Sequence, residues 1–269
     1  MTGWTLLPAY ALFALPVADT RSPSSSVTLR WNEGFAVDAA IGVNFPLVQW
    51  ENANARVQAG VLAAAFLGFD PAGEITFDFE TFDGIFALPV DLAVGEWAGR
   101  IQWGHTSAHF GDGARNNDDG DRPNIFDAYS REWIQLQGGR RLGPARVYGG
   151  VRGITHGTGR GAPLMVQIGG EGEGPWKLAP YAAIDLQIAG ESAWKPALAG
   201  QLGGRVHVGG HRLRVGLAAR TGPDDTGRLQ SQEETYIGLI LGFDTTGGLA
   251  ERGVAAERRL DAGGGVASP

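Results

Sequence analysis

His105-Thr106-Ser107 sets an imidazole and a hydroxyl two residues apart. In an extended chain such residues share a face, about 7 Å from each other. A serine becomes a nucleophile when a base takes its proton and a carboxylate orients that base. The next alternating stretch offers the carboxylate. Glu132 has the parity of Ile134 and Leu136, as His105 and Ser107 have the parity of Ile101 and Trp103. Opposed side chains on neighbouring strands approach to about 5 Å. The chemistry expected is acyl-ester hydrolysis, with Ser107 as nucleophile, His105 as general base and Glu132 as orienting acid. His109 and Asp112 follow in the same segment as substrate-positioning groups. The plainer use of these residues is a polar patch at an interface, with Glu132 paired to Arg131 or to a loop arginine.

The elements that must carry them are strands. Val57, Ala59, Val61, Ala63, Ala65 and Leu67 alternate with Gln58, Gly60 and their successors, and Leu213, Val215 and Leu217 alternate with Arg214 and Gly216. Period two means β-structure. About a dozen such stretches run from Val27 to Phe243, separated by turns of Gly, Pro, Asn and Asp. A change of parity near Thr81 and Phe82 implies a bulge. The polar face is rich in charge and glycine, the apolar face recurs in nearly every stretch, and no helices are available to cover it. The expected fold is all-β, a transmembrane antiparallel barrel of about twelve strands with lipid outside and a polar lumen. An even count puts the tight turns at Gly143-Pro144 and Gly209-Gly210 on the periplasmic side. It puts the long polar loop Gly111 to Asp127 outside the cell. Inward parity falls to Asp38, Arg56, Asp91, Arg100, Arg131, Arg146, Arg152, Asp185, Arg205 and Arg214. In a narrow lumen these charges should pair. His156 and His207 also fall on inward faces. Trp50, Trp97, Tyr129, Trp176 and Trp194 lie near strand ends, where they suit interfacial girdles.

Composition agrees. Forty-three glycines in 269 residues are more than twice the usual share of about 7%, which suits tight turns and curved walls. No apolar run approaches the roughly 20 residues of a membrane helix, whereas barrel strands need only about ten alternating residues. The net charge of −7 argues against nucleic acid as a partner. The absence of Cys suits passage through an oxidising compartment. Leu6 to Ala18 is apolar, but no Lys or Arg precedes it and Pro8 and Pro16 interrupt it. Met1 therefore reads as a start residue on a mature chain, with a weak secretion signal as the alternative. Three regions are expected: an N-terminal periplasmic or plug segment over 1–26, the barrel over 27–245, and a disordered tail over 246–269. The acidic loop containing Asn117, Asp119 and Asp121 offers oxygen ligands of the kind Ca²⁺ takes. Its spacing is not that of an EF-hand, a solvated loop is the commoner use, and no other cofactor is implied.

Two resemblances sharpen this. The His-x-Ser pair resembles that of the outer-membrane phospholipase A family, and the pair with a Glu on a neighbouring strand resembles the PagL-type lipid A deacylases. Both usually follow the Ser with Asn, where this chain has Ala108. More broadly, Leu15 to Arg21, His105 to Asp112, Tyr129 to Glu132 and Val147 to Gly150 resemble a family of uncharacterised Gram-negative outer-membrane barrels, a domain of unknown function. The resemblances imply an outer-membrane location, with outer-membrane lipids and lipopolysaccharide as partners. They also imply a candidate outer-leaflet lipid acyl-ester hydrolase. A non-catalytic scaffold barrel or a narrow solute pore is the rival reading, and a further periplasmic or membrane partner protein is left open.

Overall fold

The computed structural model describes residues 2–32, 34–71, 76–112, 129–158, 161–208 and 211–244. Asn117, Asp119 and Asp121, the Gly209-Gly210 turn and the 246–269 stretch lie outside the described residues, as does the side chain of His207. Among those described, thirteen strands follow one another: β1 (Gly3–Leu6), β2 (Ser25–Trp31), β3 (Phe35–Glu51), β4 (Arg56–Pro71), β5 (Phe77–Val94), β6 (Trp97–Phe110), β7 (Tyr129–Leu142), β8 (Ala145–Gly157), β9 (Leu164–Glu173), β10 (Leu178–Ala189), β11 (Pro196–Val208), β12 (His211–Pro223) and β13 (Glu233–Asp244). Consecutive strands from β2 onward pair antiparallel, and β13 pairs back onto β2. Twelve strands therefore close into a barrel, as the alternation required. The parity change near Thr81 is a bulge: Gly68 pairs with Thr81 and Phe69 with Phe79, which leaves Glu80 as the extra residue.

The thirteenth strand has no counterpart in the sequence pattern. β1 pairs with Val48–Glu51 of β3, while β2 pairs with Phe35–Ala40 of the same strand. The two short strands are thus halves of one barrel position. Between them the chain turns into the lumen. Leu12 N–H donates to Gln58 Oε1 at 3.0 Å, Phe13 N–H to Asp91 Oδ2 at 3.1 Å and Val17 N–H to Glu171 Oε2 at 2.9 Å. Gln201 Nε2 donates to Val17 O at 2.8 Å, and Arg146 donates to Ala14 O. The inserted backbone thereby satisfies its polar groups on inward side chains from five strands. Phe13, 1% exposed, lies between the guanidinium groups of Arg100 and Arg146, 5.3 and 5.6 Å from its ring centroid. Gly42 on β3 makes room for the insert, because a Cβ there would stand 2.3 Å from the backbone of Pro23.

Polarity runs opposite to that of a water-soluble domain. Ile41, Leu88, Ile101, Leu136, Ile168, Leu202, Val215 and Ile237 are exposed on the outside. Asp91, Arg100, Arg131, Arg146, Asp185, Arg205 and Arg214 are buried inside. The inward charges pair as the narrow lumen demands. Arg100 grips Asp91 with two bonds of 2.7 and 2.9 Å, Arg146 meets Glu171 at 3.1 Å, and Arg205 meets Glu173 at 2.5 Å. Trp97, Trp176 and Trp194 are exposed, in keeping with a girdle. Tyr129 is not part of it. Its hydroxyl accepts from Gln230 Nε2 at 2.7 Å, and the Arg131 guanidinium stacks on its ring. It shares the inward face of Arg131 and Trp133 and pairs with the buried Ala108, so it points into the barrel.

Candidate outer-face site

Register decides what β6 brings to its neighbours. His105 pairs with Glu132 and Ser107 with Ser130 on β7. On the other side, His105 pairs with Phe86, Ser107 with Gly84 and His109 with Phe82 on β5. Paired residues share a face, and this face is the outer one. Ile101, Trp103, Ile134 and Leu136 on it are exposed, while the alternate residues Gln102, Thr106, Arg131 and Trp133 are buried in the lumen. The inward set is fixed by its own bonds. Gln102 Nε2 donates to Gln135 Oε1 at 2.8 Å, and Trp133 Nε1 donates to Thr106 Oγ1 at 2.9 Å. Gly104 accommodates the Trp133 indole, which a Cβ would meet at 2.3 Å. Packing on the inside therefore holds His105, Ser107 and Glu132 outward.

Ser107 is half-buried on this face. Gly84 beside it has no side chain, and a Cβ there would lie 3.4 Å from Ser107 Oγ. The Phe82 ring covers the same position at 3.5 Å and lies 6.2 Å from the His109 imidazole, and Phe86 stands on the other side in register with His105. Aromatic surface from β5 thus lies beside the Ser107 hydroxyl. Ala108, by contrast, is 1% exposed and faces the lumen. Asp112 follows β6, exposed and beyond Gly111.

The inward parity expected for His156 is overturned. Glu132 pairs with His156, but Trp133 pairs with Ile154, so Thr155 is an extra residue in β8. One residue more reverses the faces beyond it, and His156 joins the outer surface beside Glu132. The carboxylate thus has a histidine across each of its two ladders. Simple alternation cannot reveal this, and the Gly153 to Gly157 stretch carries no signal that would. Among the described residues no three His, Asp or Glu side chains are gathered to hold a metal ion.

A family model described as "Protein of unknown function (DUF1207)" matches residues 1–244. The chain belongs to that family. The DUF1207 match takes in every strand from β1 to β13, and with them both the outer-face cluster and the inserted N-terminal segment. Neither a curated protein nor a solved structure matches the chain.

Proposed function

We propose that this DUF1207 protein is an integral outer-membrane barrel whose outer face carries a lipid acyl-ester hydrolase site. The membrane reading rests on the inverted polarity and on strand length. Strands β3 to β13 have ten residues or more, which is what a hydrocarbon core demands of a tilted strand. β2 has only seven, and β1 supplies four more at the same position. The first and last barrel strands, β2 and β13, begin and end respectively at the end that carries the Gly143-Pro144 turn, and this supports reading that end as periplasmic and the His105 end as the outer-leaflet one. Such a chain needs amphiphile to stay dispersed, and its folded form migrates differently from its heated form in detergent gels. A monodisperse chain in plain buffer contradicts the reading.

The observation that carries the hydrolase reading is the direct register of His105 with Glu132, with Ser107 one step along the same face. In the reaction Ser107 Oγ attacks the ester carbonyl carbon and His105 takes the hydroxyl proton. Glu132 holds the imidazolium, the alcohol leaves with the proton, and water then releases the acyl group. Ser130, in register with Ser107, offers its hydroxyl to the developing oxyanion, and Ala108, which faces the lumen, takes no part. His109 and Asp112 position the headgroup. Outer-membrane phospholipids and lipid A are the substrates that meet this face. A fluorophosphonate that labels wild type but not Ser107→Ala supports the site, and equal labelling removes it.

The second reading, a non-catalytic scaffold barrel, is favoured by the lumenal insert. A passive pore is disfavoured by the same feature, since 7–24 and the paired arginines occupy the channel.

A further inference from the structure

Behind the outer face lies a separate chamber of about 120 Å³, bounded by the insert at Val17–Ser24, the barrel wall, and the 224–229 loop. Its charge is unbalanced. Eight carboxylates line it against three arginines, with Arg220 reaching Asp225 and Glu234 from behind. Arg30 meets Asp38 at 2.9 Å, Glu234 at 2.6 Å and Asp70 at 3.3 Å, and it shares Glu234 with Arg220. Two guanidinium groups cannot neutralise the four carboxylates Asp38, Asp70, Asp225 and Glu234, and uncompensated charge is costly away from water.

Two acceptors stand ready. Asp83, 1% exposed, spends Oδ2 on Arg21 and on the Gly227 N–H, while its Oδ1 has no partner. Ser22, 4% exposed, has an unpartnered Oγ. Both residues line the chamber, and so do the apolar side chains of Phe66, Phe110 and Ile240. The acids are spread along the wall rather than gathered around one point, which suits an organic cation better than a metal ion.

We propose that the chamber binds a small organic cation through an alkylammonium head, which donates to Asp83 Oδ1 and Ser22 Oγ. An ammonium brings three donors and no acceptor, and its alkyl part lies against Phe66, Phe110 and Ile240. This site is independent of Ser107 and faces the lumen.

The test is calorimetry on the full chain in detergent micelles, titrated with 1,4-diaminobutane and, separately, with Ca²⁺. The expected result is saturable one-to-one binding of the diamine. Losing a charge-assisted hydrogen bond in Asp83→Asn should weaken it by about tenfold or more, and Ser22→Ala by a few-fold. Ser22→Ala leaves the Arg21–Asp83 pair intact, so it carries the test if Asp83→Asn fails to give the folded, heat-modifiable form. Absent diamine binding, unchanged affinity in Ser22→Ala, or one-to-one binding of Ca²⁺ instead of the diamine overturns the proposal.

Discussion

His156 stands opposite Glu132 only because the β7–β8 ladder passes over Thr155. Glu132 is therefore in register with two imidazoles, His105 on β6 and His156 on β8. Replacing Glu132 by Gln removes the charge that steadies a protonated His105. The expected loss of turnover on a long-chain nitrophenyl ester is about 10²-fold or more. His156→Ala should cost less, about tenfold, because His105 remains. A larger loss in His156→Ala than in Glu132→Gln would reverse the assigned roles.

Gly84 puts no side chain against Ser107, and a leucine there would crowd the Ser107 hydroxyl and the Phe82 ring. Gly84→Leu places an apolar side chain on an apolar face, so the barrel should fold unchanged. Hydrolysis of long-chain esters should fall, chiefly through KM, while that of a butyrate ester is less affected. Equal losses on both would mean that acyl chains do not use the space between Phe82 and Phe86.

Gly42 tests the seating of the insert. A valine would meet the Pro23 backbone, which cannot yield as a flexible side chain would. Gly42→Val should lower the free energy of unfolding in urea by about 2 kcal/mol. An unchanged urea midpoint would show that residues 7–24 do not occupy the lumen as described.

Asp224 and Asp225 are neighbours with opposite behaviour. Burial and then the adjacent Asp225 push Asp224 up from its ordinary value. Burial also pushes Asp225 up, but Arg220, Arg21, a hydrogen bond from Thr20 and Arg30 outweigh it and bring it down. The ionised Asp225 thus stabilises the fold above the unfolded carboxylate value of about 3.9, and that contribution is lost as pH falls through its lower folded value. Ionised Asp224 does the reverse, costing stability as pH rises past the unfolded value. At pH 7 Asp225→Asn should destabilise by about 2 kcal/mol, while Asp224→Asn, which keeps an acceptor for the Thr226 N–H, should stabilise. The Asp224→Asn gain should shrink in acid, as chemical denaturation at pH 7 and pH 4 would show.

The barrel was legible because its two faces meet different surroundings, so alternation in strands such as β4 and β12 survives in the sequence. The bulge at Glu80 was legible too, as a parity change on a long strand. The Thr155 bulge was not, because glycines at 153 and 157 leave no apolar face to betray a slip. β1 is four residues long, too short for a period, and its apolar sequel resembled a leader while serving as lumen filling. Tyr129 has the type of a girdle residue, but it shares the inward parity of Arg131, and that parity turns it in. Within the site, the face shared by His105, Ser107 and Glu132 followed from parity. Their partners Gly84, Ser130 and His156 needed register, which a single sequence does not encode locally.

The most direct measurement is fatty-acid release from phospholipid and from lipid A in mixed micelles, by the purified full-length chain and by Ser107→Ala, both confirmed as folded. The wild type is predicted to release free fatty acid, and Ser107→Ala to be slower by about 10³-fold. No release by the wild type, or equal release by the two, would contradict an outer-face serine hydrolase.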